Sequence, residues 1–209
     1  MISSIYEHSI DLDLLTPGGW VMDFGCGADF NFSKKMLDLG MNVIGIDPNP
    51  KIVNVPDGII YERMALVSDE SINNVVLDIY NDTDAASIIK TINDVGFVSK
   101  TGSISVEATT INKLMLKYNI DKLDVLKLDI EGGEYSVLLN LQPISKQISI
   151  EFHDFRGMNP YYPNNEEYYN SLRSHLVSYD FVKHQIEQHR GIYGPQGLNY
   201  WDSLLILKD

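Results

Sequence analysis

The sequence predicts an α/β protein built on a doubly wound, mostly parallel β-sheet. The first observation behind this prediction is a pair of apolar segments, residues 20–22 and 43–46, which are separated by a glycine-containing turn and a helix-like segment. The second is another apolar segment, residues 123–128, which also leads through an acidic turn into a helix-like segment. Strands that are buried on both faces of a parallel sheet are nearly continuous apolar runs, and such strands alternate with helices.

The first predicted strand ends in the turn Gly25-Cys26-Gly27. Glycine at 25 and 27 allows a sharp bend and lets a ligand approach the backbone where a Cβ would collide. Residues 31–39 then have the apolar spacing of a helix, with Asp29 or Asn31 as its cap. The amide groups at the start of this helix would point toward a ligand above the turn.

The second predicted strand ends at Asp47, which is suited to accept hydrogen bonds from both hydroxyls of a ribose. Together with the glycine turn, this carboxylate predicts a pocket for an adenosine compound. Phe30 replaces the third glycine of a dinucleotide fingerprint, and no P-loop motif follows any strand. Asp23 beside the turn favours a cationic ligand, and S-adenosylmethionine carries both a sulfonium and an ammonium group.

The remaining segments complete the alternation of helices and strands. The predicted elements are a helix over 3–15, strands over 59–61 and 72–80, a helix from Asp82 or Thr83 to about 92, a strand over 104–107, a helix capped by Thr109 or Thr110, a functional loop over 154–165, a helix over 166–178, and antiparallel strands over 179–187 and 200–207.

A second acidic segment, Lys127-Leu-Asp129-Ile-Glu131-Gly-Gly-Glu134, follows the strand over 123–128. With Thr110-Ile-Asn-Lys-Leu114 and Glu151-Phe-His153, it resembles the pattern of the FkbM family of S-adenosylmethionine-dependent methyltransferases over about residues 19–154. The resemblance implies a seven-stranded sheet of order 3-2-1-4-5-7-6 with an antiparallel last strand and helices on both faces.

The expected function is therefore methyl transfer from S-adenosylmethionine to a hydroxyl of a small molecule or glycan. By motif and resemblance, the predicted cofactor-binding residues are Asp23, Gly25, Cys26, Gly27, Asp47, Pro48, Ala65, Leu66 and Asp129. The chain is expected to form one domain over 1–209, with a helical extension over 1–18, a cofactor-binding core over 19–154, and a substrate loop, helix and closing hairpin over 155–209.

An alcohol must lose its proton to accept a methyl group, and His153 is the predicted base because imidazole titrates near neutrality. Glu131 and Glu151 would orient this base or the substrate. The structural alternative is that Glu151 and His153 bond neighbouring loops while Glu131 caps a helix. The remaining histidines, His8 among them, are expected to be surface or packing residues.

A divalent ion is a further alternative at the same strand ends. Asp129, Glu151 and Asp154 offer oxygen ligands of the kind that suit Mg²⁺, Ca²⁺ or Mn²⁺. Such an ion would lower the pKa of a substrate hydroxyl.

Composition limits the class of partner. There are 16 basic and 29 acidic residues, and the resulting net charge of −13 repels phosphate backbones, so no nucleic-acid partner is expected. No apolar run reaches 18 residues and no leader pattern opens the chain, which predicts a cytoplasmic protein without a membrane partner. The single cysteine, Cys26, excludes an intramolecular disulfide and is expected to pack as a small apolar residue.

Two other functions share the first turn and Asp47. One is a noncatalytic module that binds an adenosine cofactor. The other is an NAD-dependent oxidoreductase, for which Tyr179-x-x-x-Lys183 imitates a catalytic pair. That pair should lie on a helix, whereas here it falls in a strand pattern.

Overall fold

The computed structural model describes the backbone of residues 1–80, 86–87, 100–154, 165–188 and 199–208, and the side chains of residues 1–79, 102–152, 170–182 and 202–208. The strands are β1 (Ile2–Ile5), β2 (His8–Asp11), β3 (Trp20–Phe24), β4 (Asn42–Ile46), β5 (Ile59–Glu62), β6 (Ala65–Leu66), β7 (Asn74–Tyr80), β8 (Ala86–Ser87), β9 (Lys100–Thr109), β10 (Leu123–Leu128), β11 (Ser145–Asp154), β12 (Tyr179–Gln188) and β13 (Asn199–Leu207). The helices are α1 (Asn31–Asp38), α2 (Ile111–Tyr118), α3 (Glu134–Leu138) and α4 (Asn165–His175), with a 3-10 helix at Leu12–Leu14.

The central sheet has seven strands in the order β12-β13-β11-β10-β3-β4-β5. The five strands from β5 to β11 are parallel, while β13 runs antiparallel to both of its neighbours. When these strands are numbered in chain order from the β5 edge, the arrangement is 3-2-1-4-5-7-6. The predicted α/β class with a mostly parallel sheet is confirmed. The order reverses between β3 and β10, and ligands of such sheets bind outside the strand ends at this point.

The two faces of the sheet are covered differently. One face packs against α2, α3 and α4 through buried residues such as Leu114, Leu138 and Leu172. The other packs against α1 and the β1–β2 hairpin, which contribute Met36 and Ile10. No helix in the described part of the chain has the length and apolar character needed to span a bilayer.

The predicted helix over residues 3–15 is wrong, because the chain forms the antiparallel β1–β2 hairpin there. Tyr6 and Glu7 have φ values of 46° and 71°, the left-handed conformation of a two-residue hairpin turn. The hairpin also bonds to β11, where Gln147 Oε1 accepts from Asp11 N at 2.7 Å and Gln147 Nε2 donates to Asp11 O at 3.0 Å. These tertiary bonds stabilise a strand where local spacing favoured a helix.

A second, four-stranded sheet has the order β6-β9-β7-β8. The predicted strand over 72–80 is confirmed as β7, and the predicted strand over 104–107 lies within the longer β9. Residues 86–87 pair antiparallel with β7, so the helix predicted across 82–92 is wrong at that point. The rest of that predicted helix lies outside the described residues.

The helix predicted over 31–39 is confirmed as α1, but its cap differs from the prediction. Phe30 occupies the cap position in the left-handed conformation and makes no side-chain cap bond. Asp29 instead accepts a hydrogen bond from Asn31 N at 3.3 Å. Thr110 caps α2 as predicted, by accepting from Lys113 N at 3.3 Å. The predicted closing strands are confirmed as β12 and β13, while residues 155–164 of the predicted loop lie outside the described residues.

Candidate cofactor and catalytic site

The turn after β3 packs directly on the chain that follows β10. Gly25 has φ +75°, and a Cβ built on it would lie 1.7 Å from the carbonyl oxygen of Asp129. Gly25 N also donates to Ile46 O at 2.8 Å, and Asp129 N donates to Phe24 O at 3.2 Å. Because only glycine permits this approach, the ends of three adjacent strands meet at one point.

Asp47 is tied to this turn by its side chain. Its Oδ2 accepts from Gly27 N at 3.0 Å and its Oδ1 accepts from Asn49 N at 2.9 Å. Burial raises the pKa of Asp47 against the lowering effect of these two amides. Tyr61 donates its hydroxyl to Asp47 O at 2.8 Å, and burial raises the pKa of Tyr61 to about 12. The carboxylate is therefore fixed beside the glycine turn, as the predicted adenosine pocket requires.

A buried ion pair lies beneath the turn. Asp23 and Lys127 are register neighbours in β3 and β10, and Lys127 Nζ lies 3.1 Å from Asp23 Oδ1. The same ammonium donates to Gly25 O at 2.6 Å and lies 3.4 Å from Asp129 Oδ2. Burial would lower the pKa of Lys127, but the carboxylates of Asp23 and Asp129 outweigh it and raise that pKa.

Asp23 is fully buried and accepts a hydrogen bond from Ser33 Oγ at 2.6 Å. These contacts give Asp23 a structural part in supporting the turn. Its predicted contact with the cofactor stays a prediction.

His8 was expected to be a surface or packing residue, yet the hairpin places its ring at the carboxyl ends of β10 and β11. His8 is 4% exposed, and its Nε2 lies 3.7 Å from Asp129 Oδ2. Ligand atoms of His8, Asp129 and Glu151 all lie within 4.8 Å of one another. Burial lowers the pKa of His8, although Asp129 acts in the opposite direction. Chain spacing could not reveal this group, since its members belong to β2, the turn after β10, and β11.

The other predicted site residues are distributed as follows. Cys26 is buried and burial raises the pKa of its thiol, which agrees with the expected packing role. Ala65 and Leu66 are buried in β6, where they pair with β9. Pro48 follows Asp47 at the end of β4 and is half-buried.

The acidic segment after β10 divides between a turn and a helix start. Glu131 is half-buried and has φ +55°. Glu134 is fully buried, and its Oε1 accepts from Ile130 N at 2.8 Å, which is a structural role at the start of α3. The backbone of His153 and Asp154 belongs to β11, but their side chains lie outside the described residues.

The arrangement suits a cationic adenosine compound better than a polyphosphate. The turns that follow β3 and β10, residues 25–30 and 129–133, contain acids and no lysine or arginine. Lys127, the cation beneath them, is 3% exposed and paired with two carboxylates. A sulfonium or ammonium group would be stabilised by the field of these strand ends, whereas phosphates would be repelled.

Comparison with known proteins agrees with this fold. A structure from Listeria monocytogenes, provisionally named an S-adenosylmethionine-dependent methyltransferase, is similar with a TM-score of 0.50 and 9% identity over 94% of this chain and 95% of that one. A TehB-like S-adenosylmethionine-dependent methyltransferase from Corynebacterium glutamicum is similar with a TM-score of 0.43 and 13% identity, over 94% of this chain and 84% of that one. A provisionally named hemolysin from Streptococcus thermophilus is similar with a TM-score of 0.49 and 10% identity. The match covers 93% of this chain but only 62% of the length of that protein.

These identities are low enough that the structural likeness concerns the fold alone. No curated protein matches the chain. The model of the methyltransferase FkbM domain matches residues 25–183, which include the glycine turn, Asp47 and the acidic segment. That match covers most of the chain, and the protein therefore belongs to the FkbM methyltransferase family.

Proposed function

We propose that the protein is an S-adenosylmethionine-dependent methyltransferase that methylates a hydroxyl group of a small molecule or glycan. The observation that carries this proposal is the link between Gly27 N and Asp47 Oδ2, at 3.0 Å, beside the acidic ends of β10 and β11. It supports a nucleoside site and a reaction site that share one edge of the sheet. Family membership supports the same reaction class.

The bound cofactor would supply an electrophilic methyl group on its sulfonium. Asp47 would accept hydrogen bonds from the ribose hydroxyls, and the turn at 25–27 would leave space for the nucleoside. Asp129, at the switch point, would face the cationic part of the cofactor.

For an alcohol acceptor, His153 is the proposed base, and Glu131 and Glu151 are the proposed residues that orient it or the substrate. Glu151 lies two residues before His153 in β11. Holding the hydroxyl in line with the methyl group lowers the activation barrier, because the entropy of bringing the two groups together has already been lost on binding.

The net charge supports the proposed substrate class. A net charge of −13 repels phosphate backbones, which favours a neutral or cationic small molecule or a glycan over nucleic acid.

Of the two alternative functions, the NAD-dependent oxidoreductase is disfavoured by the structure of β12. Tyr179 is buried there and donates its hydroxyl to Ser145 O at 3.0 Å, and Lys183 belongs to the same strand. The pair therefore does not share a helix face. Only a measurement of methyl transfer distinguishes the noncatalytic module from the enzyme.

Calorimetry tests the cofactor assignment. We expect S-adenosylhomocysteine to bind the full chain and NADH to give no heat. Asp47→Asn replaces one acceptor oxygen by an N–H that opposes the backbone amides, so affinity should fall by at least about 10-fold. Asp38→Asn, at the exposed end of α1, is the matched control and should bind like the wild type. Equal affinities for the two variants, or no heat with either the methyl donor or its product, would contradict the assignment.

Transfer of a labelled methyl group tests the reaction. The protein should label alcohols in a panel of small hydroxylated compounds and glycans, and the label should survive base treatment that hydrolyses esters. His153→Gln should lower kcat with little change in cofactor affinity. Cofactor binding without any labelled acceptor, across a panel of both classes, would favour the noncatalytic module.

A further inference from the structure

An imidazole and two carboxylates meet at the carboxyl ends of β10 and β11. They belong to His8, Asp129 and Glu151, and one ligand atom from each lies within 4.8 Å of the other two. We propose that these residues bind a divalent transition-metal ion. Binding of the ion stands on this geometry alone, whereas its use in methyl transfer rests on the proposed function.

The separations suit an ion better than direct hydrogen bonds. His8 Nε2 lies 3.7 Å from Asp129 Oδ2, which is longer than a hydrogen bond. Two neighbouring ligands that each lie about 2.0–2.2 Å from an ion are themselves about 3.0–3.6 Å apart. Side-chain rotations that move the atoms by about 1 Å would therefore bring the three residues to bonding distance.

The histidine is held as a metal-binding imidazole usually is. Its Nδ1 lies 3.5 Å from Ser149 Oγ, so a hydroxyl on β11 is placed against the nitrogen that points away from Asp129. The ring packs edge-on against Phe32, with centroids 5.6 Å apart and an interplanar angle of 77°. A partner on the second ring nitrogen helps to set the orientation of a ligand histidine. The hairpin thus presents Nε2 to Asp129.

The donor set selects the kind of ion. One imidazole nitrogen with two carboxylates suits Mn²⁺, Fe²⁺, Co²⁺ or Zn²⁺, whereas Mg²⁺ and Ca²⁺ prefer ligands that are all oxygen. This differs from the oxygen set of Asp129, Glu151 and Asp154 that the sequence suggests. An ion held here would lie beside the proposed methyl-transfer site and would lower the pKa of a hydroxyl bound to it.

Lys127 sets a limit on affinity. Its ammonium lies 3.4 Å from Asp129 Oδ2, on a carboxylate that the ion would share. This positive charge would repel a second cation. We therefore expect a site of moderate affinity, which fills at micromolar concentrations of a transition-metal ion.

Metal titration of the full chain after treatment with EDTA tests the proposal. We expect one Mn²⁺ or Co²⁺ per chain, with Co²⁺ tighter than Mn²⁺ and both much tighter than Mg²⁺. His8→Gln should weaken Mn²⁺ binding by at least about 100-fold, which is more than the loss of an outer-shell partner causes. His175→Gln changes an exposed histidine at the end of α4 and should bind like the wild type.

Nitrogen coupling to bound Mn²⁺, measured by pulsed electron paramagnetic resonance, identifies the ligand directly. The coupling should be present in the wild type and in His153→Gln, and absent from folded His8→Gln. If His8→Gln does not fold, the wild type and His153→Gln still decide, since coupling that persists without His153 supports His8. Coupling lost with His153 overturns the proposal, as does equal Mn²⁺ affinity in folded His8→Gln and His175→Gln, or Mg²⁺ binding as tight as Mn²⁺.

The same samples separate this proposal from the proposed function. S-adenosylhomocysteine binding to the EDTA-treated protein tests the nucleoside pocket without the ion. Retained cofactor binding with no metal binding would remove the ion and leave the methyltransferase assignment in place.

Discussion

Replacement of Gly25 by alanine should disrupt both the fold and the cofactor site. The residue has φ +75°, and the left-handed conformation costs a residue with a Cβ about 1–2 kcal/mol. The added Cβ would also lie 1.7 Å from Asp129 O and 2.9 Å from Asp129 C, so the turn and the end of β10 must separate by roughly 1 Å or more. Overpacking of this kind costs about 1–3 kcal/mol, which gives a total loss of about 2–5 kcal/mol in unfolding free energy.

Gly40→Ala provides the matched control, because Gly40 has φ +80° and no atom lies within 4 Å of its added Cβ. It should cost about 1–2 kcal/mol, the backbone part alone. Urea unfolding of both variants measures the difference, and calorimetry with S-adenosylhomocysteine should show a loss of at least about 10-fold for Gly25→Ala only. If the two variants unfold within about 0.5 kcal/mol of each other, the close contact with Asp129 is not what requires glycine at 25.

Three further predictions concern the buried groups. Lys127→Met should lower the unfolding free energy by about 3–5 kcal/mol in urea, because Asp23 would be left fully buried without its ion-pair partner. Gln147→Ala should cost about 2–3 kcal/mol and speed amide exchange across residues 2–11, because both of its bonds to the Asp11 backbone are lost. The affinity for S-adenosylhomocysteine should fall on acidification as Asp47 protonates, and burial raises that pKa above 3.8, so the loss begins at a higher pH than for an exposed aspartate.

Each of these predictions has a specific control. Adding Asp23→Asn to Lys127→Met should restore part of the lost stability, and no recovery would argue against a buried-charge penalty. Gln142→Ala changes an exposed glutamine and should leave amide exchange in the hairpin unchanged. Asp47→Asn should remove the acid step in affinity. The pH dependence of stability in the ligand-free protein has the opposite direction. Because the pKa of Asp47 is raised in the folded state, its protonation as pH falls increases the free energy of unfolding.

The sequence predicted the parts of the fold that depend on local pattern. The strands at 20–24 and 42–46, the glycine turn between them and Asp47 are all found in place, because burial on both faces gives a continuous apolar run and the turn needs glycine. The cap of α2 by Thr110 follows from an equally local hydrogen bond. Such features need no knowledge of distant residues.

The features that were missed depend on contacts between distant parts of the chain. Ile5 and Ile10 are buried, but in a hairpin and not in the predicted helix, because Gln147 supplies bonds to Asp11 that no local pattern contains. The misassigned element also concealed His8. A histidine in an isolated helix has no partner, whereas in β2 it lies against Asp129. Because this one element was predicted wrongly, His8 was not included in the predicted site.

The docked hairpin also constrains the order in which the molecule can be completed. Asp11 bonds to a glutamine 136 positions later, and His8 meets a serine 141 positions later. During synthesis, which proceeds from the N-terminus, the hairpin cannot make these contacts until β11 emerges. Closing so long a loop is slow, so docking of the hairpin on β11 should be a slow step of folding, and a probe at position 8 would report that step.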